Sequence, residues 1–369
     1  MRQKSYVDEN RKYWTEYTNL QRVKHELIRE YLNGWLPKLG NWAGRIVYID
    51  THAGRGTHLQ GELGSPLVAL KTFLNHNARD RILKRSQVVF WFIERDENNL
   101  NSLNNEMSGL GKLPSNVKVH SESGDCFSIL RDLIESLKSE ENQLAPAFVF
   151  VDPYGFNVPG DVLRELMQFP RVELFVNVIW RELNMGLHQG DEKPGMATRL
   201  NSIFNGPSWR SNITSDDFDV RIEQTIDTFK EMLQARWATD IRMLGDNNKT
   251  RYILAHYTKH DAGRDLMKDC LWKVCRDGDF CARKMDNPDQ LLLISEDPDL
   301  DPLKEWVCEK LRERPHRWQE FHKLIRPLIW RDTHVNEAIS NLRKDKVITA
   351  SDYKGRCSPS ANPLLSLAQ

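Results

Sequence analysis

Five short runs of β-branched and aromatic residues, separated by segments of helical periodicity, constrain the fold of this 369-residue chain more than any other feature. The runs are residues 45–50 (RIVYID), 88–93 (VVFWFI), 117–120 (VKVH), 147–151 (AFVFV) and 172–179 (VELFVNVI). The helical segments between them lie near residues 66–76, 96–107, 126–138 and 160–168. Strands that are apolar along their length and alternate with amphipathic helices are typical of a parallel sheet covered on both faces. We therefore expect an α/β protein.

Two further runs differ from the first five because a short polar segment joins them. Residues 238–244 and 251–258 flank GDNNKT, which has the length and residue types of a hairpin turn. Five parallel strands followed by an antiparallel hairpin is the strand sequence of the class I methyltransferase fold. The expected fold is thus a Rossmann-like, seven-stranded, mostly parallel sheet, with a helical insertion at about residues 181–237.

The two ends of the chain have helical patterns of their own. Apolar residues recur at three- and four-residue spacing over residues 15–39, which predicts a helix that stops at Pro37. Beyond residue 300, we expect helices near 302–313, 316–328 and 332–344, followed by VITASD and a turn at 353–356. Three helices and a β-ribbon are typical of a winged helix-turn-helix, and a helical cap on the main domain is the alternative. The expected domains are an N-terminal helical region (1–40), a methyltransferase-like domain (41–300) and a winged-helix-like module (301–369).

Charge and composition restrict the function less than the pattern does. Lys+Arg and Asp+Glu both number 52, so the whole chain shows no bias toward a polyanionic partner. Residues 301–369 carry 13 Lys/Arg and 9 Asp/Glu, a net charge of +4 that favours nucleic acid only weakly, since solvated surfaces often carry as much. The chain has no apolar run of the ~18 residues that span a bilayer and no signal-peptide core, so a cytoplasmic protein is expected. The six cysteines form no C-x-x-C pair, which favours reduced structural thiols over a metal site.

The segment RIVYIDTHAGRG, residues 45–56, is the candidate cofactor loop. Its acid, Asp50, ends the first predicted strand, where a carboxylate can accept hydrogen bonds from the amino group of S-adenosylmethionine (SAM). Its glycines can adopt positive φ and allow close approach of a ligand. A dinucleotide-binding G-x-G-x-x-G would need glycine at the position of Leu59, so the loop favours SAM over NAD. An incidental glycine turn is the alternative. The predicted cofactor-binding residues of this loop are Asp50, His52, Ala53, Gly54 and Gly56.

Acidic residues also follow the second and third predicted strands. Glu94 ends the second run, where a carboxylate can bind ribose hydroxyls. Asp125 follows the third run and is expected to accept from the adenine amino group, with Cys126 or Phe127 lining the ring face. Three acids at successive strand ends indicate a SAM site better than any one of them does.

The fourth predicted strand ends in Asp152-Pro153-Tyr154-Gly155, which we interpret as the catalytic loop because the carboxyl ends of parallel strands share one edge. Amino-methyltransferases carry Asp/Asn-Pro-Pro-Tyr/Phe there, in which carboxylate and carbonyl oxygens hold an exocyclic amine and the aromatic ring stacks on the base. This sequence has one proline, so Tyr154 comes one position early, and a turn with a buried tyrosine is the alternative. The predicted catalytic residues are Asp152, Pro153 and Tyr154. Asn177, in the fifth run, is a further candidate for the pocket.

Several stretches together resemble the three-Cys-motif partner protein family (TcmP). They are KHEL with YLNGWLP, YIDTHAGRG, GELGSPLVAL, FVDPYGF and HYTKHDAGRDLMKDCLWKV, and they span roughly residues 15–275. The resemblance implies a bacterial protein with a methyltransferase fold, accompanied by a separate protein that bears the three cysteines. His52 departs from the aromatic residue common at this position in related amino-methyltransferases. In these stretches, Lys24 and His25 are expected either to close over the cofactor or to lie on a surface helix. Arg264 and Lys268 are expected on a solvated face, with phosphate contact as the alternative.

Two functions remain open from the sequence. The first is a SAM-dependent methyltransferase that acts on nucleic acid, DNA or RNA, at an exocyclic amine. The second is a non-catalytic or SAM-binding methyltransferase fold that acts through protein–protein interaction.

Overall fold

The computed structural model describes residues 14–190, 192–275, 278–284, 298–350, 353 and 355–368. The chain forms two compact units, the first from residues up to 266 with 281–291, the second from residues 267–280 with 292–369. The strands of the first unit are β1 (Arg45–Asp50), β2 (Gln87–Glu94), β3 (Val117–Ser123), β4 (Ala147–Val151), β5 (Val172–Val178), β6 (Trp237–Leu244), β7 (Thr250–Thr258) and β8 (Cys281–Arg283). Its helices are α1 (Asn19–Gly40), α2 (Ser65–Leu74), α3 (Arg79–Leu83), α4 (Glu97–Ser108), α5 (Cys126–Ser139), α6 (Gly160–Gln168), α7 (Trp180–Gln189), α8 (Pro194–Ile203), α9 (Trp209–Asn212) and α10 (Phe218–Met232). Helix α11 (Asp261–Val274) contributes residues to both units.

The sheet of the first unit has the strand order β3-β2-β1-β4-β5-β7-β6-β8. Strands β1 to β5 pair in parallel, and β7 runs antiparallel to both β5 and β6. Five parallel strands completed by an antiparallel hairpin form the class I methyltransferase arrangement, and the predicted α/β class is confirmed. The described sheet has eight strands rather than seven, because β8 pairs in parallel with β6. A strand of three residues such as β8 is too short for the periodicity of the sequence to predict it.

The register of the sheet places the candidate residues at one edge. Strands β1 and β4 have the predicted bounds, and β3 continues to Ser123 instead of ending at residue 120. Asp50 is the last residue of β1, Asp152 directly follows β4, and Asn177 lies near the end of β5. Because these strands are parallel, their carboxyl ends meet at the edge where ligands bind in open α/β sheets.

Helix α1 runs past the point at which we predicted it to stop. It begins after Thr18, whose side chain and Gln21 form a capping box, and continues through Pro37 to Gly40. A proline inside a helix leaves the carbonyl four residues earlier without its N–H donor. Here that carbonyl, of Asn33, is paired with Nε2 of His76 at 3.0 Å. The prediction was wrong because the replacement partner comes from a distant part of the chain.

A buried polar cluster lies between α1 and the sheet. The carboxylate of Glu173 on β5 accepts hydrogen bonds from Tyr31 of α1 and, at 3.3 Å, from Thr258, and it lies 3.3 Å from His256. A Cβ at Gly263 would come within 2.8 Å of Thr258 Oγ1, so this glycine allows α11 to approach the cluster. Tyr31 belongs to YLNGWLP and the others mostly to HYTKHDAGRD, which gives these two stretches a structural role.

A buried arginine links two helices of the insertion after β5 by hydrogen bonds. Arg221 of α10 is 7% exposed and donates to the carbonyl oxygen of Ser215 at 2.8 Å and to Asn184 of α7 at 3.0 Å. These bonds tie α10 to α7, the helix that directly follows β5.

The second unit has the element order α12 (Asp301–Glu313), β9 (His316–Arg317), α13 (Trp318–Leu324), α14 (Asp332–Lys344), β10 (Ile348–Ala350) and β11 (Leu364–Leu367). Its three strands form an antiparallel sheet in the order β10-β11-β9. The helix predicted over residues 316–328 is shorter, because its first residues form β9. The last two residues of VITASD (351 and 352) and residue 354 of the turn predicted at 353–356 lie outside the described residues.

Two basic residues of α11 are buried, contrary to the expectation of a solvated helix face. Lys268 is 2% exposed, and its ammonium group donates to the carbonyl oxygens of Arg326 (3.3 Å), Leu328 (3.3 Å) and Trp330 (2.7 Å). Arg264 is 7% exposed and donates to Ala238 O and Thr239 Oγ1. With their charged groups bonded inside the protein, neither residue is placed to contact a phosphate. Among the described residues, no helix is long and apolar enough to cross a membrane.

Candidate cofactor and substrate site

The carboxyl group of Asp50 is completely buried at the end of β1. Tyr48 Oη donates to it at 3.4 Å and the backbone N–H of His52 at 3.3 Å, and the side chain of Ser65 gives a further hydrogen bond. Burial raises the pKa of Asp50 to about 7, against the hydrogen bonds from Ser65 and His52, which lower it. Asp50 is therefore a carboxyl group that changes its charge near neutral pH.

Glu94, at the end of β2, fixes the glycine loop to the neighbouring strand. Its two carboxylate oxygens accept the backbone N–H groups of Gly54 at 2.7 Å and Asp96 at 2.8 Å. Burial raises the pKa of this carboxyl group. Each carboxylate oxygen can accept more than one hydrogen bond, so these contacts leave Glu94 able to bind a hydroxyl donor as well.

The two glycines of the loop allow close packing of the chain around it. Both have positive φ, +66° at Gly54 and +92° at Gly56. A Cβ at Gly54 would lie 2.4 Å from the ring of Trp14, and one at Gly56 would lie 3.0 Å from Leu103. The space beside Gly54 on this side is thus taken by Trp14, where we had expected room for a ligand. Ala53 is buried and its N–H donates to the carbonyl of Ile93 at 3.0 Å.

The segment before α1 lies across this loop. The carbonyl of Trp14 accepts from the N–H of Leu59 at 2.9 Å, and the Trp14 ring lies 4.8 Å from that of His58. Tyr17 Oη is 3.0 Å from Nδ1 of His25, which is fully buried. Burial and the nearby Lys24 lower the pKa of His25 well below its usual value, so a neutral imidazole lies over the site.

His52, Cys126 and Asp125 line the other side of the loop. His52 is 2.8 Å from Thr51 Oγ1 through Nδ1 and 3.7 Å from Cys126 Sγ through Nε2, and its ring meets Phe127 edge to face. Burial lowers the pKa of His52 to about 4 and raises that of Cys126 to about 12, so both are neutral at pH 7. Asp125 is exposed and caps α5 by accepting from the N–H of Ser128 at 3.0 Å. The structure thus gives Asp125 a capping role, and its contact with adenine stays a prediction.

Asp152 is the centre of a buried hydrogen-bonded group at the ends of β4 and β5. Its Oδ1 accepts from Nδ2 of Asn177 at 2.5 Å, and its Oδ2 accepts from the ammonium group of Lys24. The side chains of Lys24 and Asp152 are 3% and 14% exposed. One residue of β5 and one of α1 thus donate to the carboxylate that follows β4.

The loop that follows Asp152 presents an aromatic ring to solvent. Pro153 is buried, whereas Tyr154 is 48% exposed, contrary to the alternative of a turn with a buried tyrosine. Gly155 adopts a φ of +136°. The next residue, Phe156, packs against the insertion, since a Cβ at Gly186 of α7 would lie 3.6 Å from its ring.

The contact from Lys24 is the part of the site that the sequence reasoning left undecided. Lys24 lies at four-residue spacing between Leu20 and Ile28, both of which are buried. A lysine within the apolar stripe of an amphipathic helix indicates a buried charge with a partner. This signal was present in the sequence, although it does not name the partner.

No protein-family model and no curated protein matches the chain. A Legionella pneumophila protein assigned to family DUF519 is 15% identical, covering 64% of this chain and 85% of its own, with a TM-score of 0.33. A SAM-dependent methyltransferase from Agrobacterium tumefaciens is 8% identical, covering 65% and 62%, with a TM-score of 0.34. The methyltransferase domain of bacterial CtHen1 is 10% identical, covering 63% and 99%, with a TM-score of 0.31. All three scores lie below 0.5, so the fold assignment rests on the strand order of the sheet.

Proposed function

We propose that this protein is a SAM-dependent methyltransferase that acts on nucleic acid at an exocyclic base amine. The observation that carries the proposal is the position of Asp152. It lies at the carboxyl edge of the methyltransferase sheet, bonded by Asn177 and followed by the exposed ring of Tyr154. Next to it, at the carboxyl ends of β1 and β2, lie the two buried carboxyl groups of Asp50 and Glu94.

The residues at this edge fit SAM. Asp50, when ionised, is an acceptor for the cofactor's amino group, and Glu94 is an acceptor for its ribose hydroxyls. His52, Ala53, Gly54, Gly56, Asp125 and Cys126 complete the proposed cofactor-binding set. SAM, when bound, supplies an electrophilic methyl group on a positively charged sulfur.

The protein's own contribution would be positioning. The Asp152 carboxylate accepts a hydrogen bond from the substrate amine and directs its lone pair, while Tyr154 offers an aromatic face to the base. Pro153 keeps the loop rigid, because its ring fixes φ. Holding two reactants in line removes much of the entropic barrier to their reaction.

The second unit is proposed to bind the nucleic-acid substrate as a winged helix. Its order of helix, strand, two helices and two strands, with β11 between β10 and β9, supports this assignment. Helix α14 would be the recognition helix, and the segment between β10 and β11 the wing. A separate three-Cys-motif protein remains a proposed partner, supported by the sequence resemblance to TcmP.

Calorimetric titration with SAM tests the enzyme assignment. We expect binding in the micromolar range, abolished by Asp50→Ala and unchanged by Glu122→Gln, whose side chain accepts from Trp91 on an exposed part of β3. Absence of binding to the wild-type protein would refute the assignment. Binding without methyl transfer to DNA or RNA would favour the non-catalytic partner role.

A further inference from the structure

Asn177 carries a buried acceptor that receives no hydrogen bond from the part of the chain that the structure describes. The residue is 6% exposed, and its Nδ2 donates to Asp152 Oδ1. Its Oδ1 is buried and accepts no hydrogen bond from the described residues. Val151 and Val176 are register partners on β4 and β5, so Asp152 and Asn177 are the next residues on neighbouring strands.

The contact with Asp152 fixes the orientation of the carboxamide. An amide oxygen turned toward the carboxylate would be repelled, so the NH₂ group faces Asp152 and Oδ1 lies beside it. A buried acceptor without a donor costs about 1–3 kcal/mol, and nearly all such groups in native proteins are paired. An acceptor left open next to the proposed substrate position indicates that the ligand supplies the donor.

We propose that Asn177 Oδ1 is the second acceptor for a primary exocyclic amine, which Asp152 holds by its other hydrogen. This inference rests on the proposed function and adds a residue that positions the amine. In Asp-Pro-Pro-Tyr loops the second acceptor is a backbone carbonyl, and this chain departs from that pattern with Asp-Pro-Tyr-Gly at residues 152–155. Asn177, on the adjacent strand, supplies a buried acceptor oxygen beside Asp152.

Two acceptors match the two hydrogens of a primary amine. With both N–H groups bonded, the nitrogen lone pair is left to attack the methyl carbon. The nitrogen–carbon bond forms as the carbon–sulfur bond breaks and its electron pair stays on sulfur, and the surplus proton of the amine passes to Asp152 and then to water. A ring nitrogen that carries no hydrogen can donate to neither Asp152 nor Asn177 Oδ1, so it leaves both acceptors without the hydrogen bonds that a primary amine supplies. The site therefore selects exocyclic amines over ring nitrogens.

The test measures transfer of labelled methyl groups from SAM to total bacterial RNA and DNA, followed by mass spectrometry of the nucleosides. Asn177→Leu is nearly isosteric and removes both polar atoms. Asn177→Asp keeps an acceptor oxygen, and because two adjacent carboxyl groups share one proton, its protonated oxygen can donate to Asp152 in place of the amide. Asn142→Leu is the matched control, because Asn142 is an exposed asparagine whose Nδ2 also donates to a carboxylate, that of Glu140, at 2.8 Å. SAM affinity and melting temperature are measured for every variant to separate loss of function from loss of folding.

We expect the wild-type protein and Asn142→Leu to label a monomethylated exocyclic amine. Asn177→Leu should lower the rate about 100-fold, the usual effect of removing one aligned hydrogen-bonding group, with SAM affinity within about twofold of wild type. Asn177→Asp should retain clearly more activity than Asn177→Leu. A fully active Asn177→Leu, or equal losses in both Asn177 variants, would overturn the inference and leave the proposed function intact. Label on a ring nitrogen or a hydroxyl, or a wild-type protein that transfers no methyl group, would overturn both.

Discussion

Lys24 of α1 donates a hydrogen bond from its ammonium group to the carboxylate of Asp152, and both side chains are almost withdrawn from solvent. Removing one partner of a buried ion pair leaves an uncompensated charge, which costs about 3–5 kcal/mol, whereas replacing both with apolar residues is often neutral. The pair therefore couples the folding of α1 to the candidate catalytic centre.

We predict that Lys24→Met lowers the free energy of unfolding by about 3 kcal/mol. The double variant Lys24→Met/Asp152→Leu should recover most of this loss, because no charge is then left buried. Urea unfolding followed by circular dichroism measures both. Additive losses in the double variant would mean that the two groups do not interact energetically.

The affinity for SAM should depend on pH through Asp50, whose pKa burial raises to about 7. The ionised carboxylate binds a cationic amino group better than the neutral acid does, so SAM affinity should rise with pH, by up to about tenfold per unit, and level off above pH 7. Titration calorimetry between pH 5.5 and 8.5 measures this. A SAM affinity that does not change with pH would show that Asp50 does not take part in cofactor binding.

The same pKa has the opposite effect on the stability of the cofactor-free protein. Between about pH 4 and 7 the folded state holds a proton on Asp50 that the unfolded state has released. The contribution of Asp50 to stability is therefore greatest below pH 4 and falls by about 1.4 kcal/mol per pH unit up to 7. Asp50→Asn should remove this part of the pH dependence and be relatively more stable at pH 8 in urea unfolding. An identical pH profile for variant and wild type would contradict the assignment.

Glu173→Ala is predicted to destabilise the protein by about 1–3 kcal/mol for each buried donor that it leaves without an acceptor. It removes the partner of Tyr31, Thr258 and His256 inside the protein, where polar groups without partners are costly. Glu165→Ala is the control, since Glu165 is 46% exposed in its pair with Lys138, and it should change stability by about 0.5 kcal/mol or less. Equal losses of unfolding free energy in the two variants, measured by chemical denaturation, would show that the Glu173 cluster stabilises the protein no more than an exposed ion pair does.

The proposed nucleic-acid surface of the second unit can be tested by salt dependence. Lys344 and Lys346, at the end of α14, and Arg356 are exposed. Replacing all three by Ala should reduce the slope of log affinity against log salt by about 0.9 for each phosphate that the protein no longer neutralises. The control, Lys304→Ala/Lys310→Ala, removes lysines paired with Asp301 and Glu313 on α12. An unchanged slope in the triple variant would mean that these three residues neutralise no phosphates, and would favour a structural role for the second unit.

The sequence predicted the sheet well because its strands are apolar along their length and have matching helices between them. Strand ends such as Asp50 and Asp152 could be placed at one edge, since parallel topology forces them there. What it could not predict are contacts set by tertiary structure: the bond from His76 that lets α1 continue through Pro37, or the packing of Trp14 on Gly54. Lys24 shows the same limit, because its apolar neighbours predict burial and leave the partner unnamed. The solvated face expected for Lys268 was wrong, because its partners are carbonyl oxygens of a segment about 60 residues further along the chain.

The most direct measurement of the central claim is transfer of labelled methyl groups from SAM to nucleic acid by the wild-type protein and by Lys24→Met/Asp152→Leu. This double substitution removes both acceptor oxygens of Asp152 and leaves no charge buried, so the fold and the SAM affinity should be kept, the latter within about twofold. The loss of the hold on the amine should lower transfer at least about 100-fold. Equal labelling by both proteins would contradict the account, because Asp152 would then have no part in the reaction.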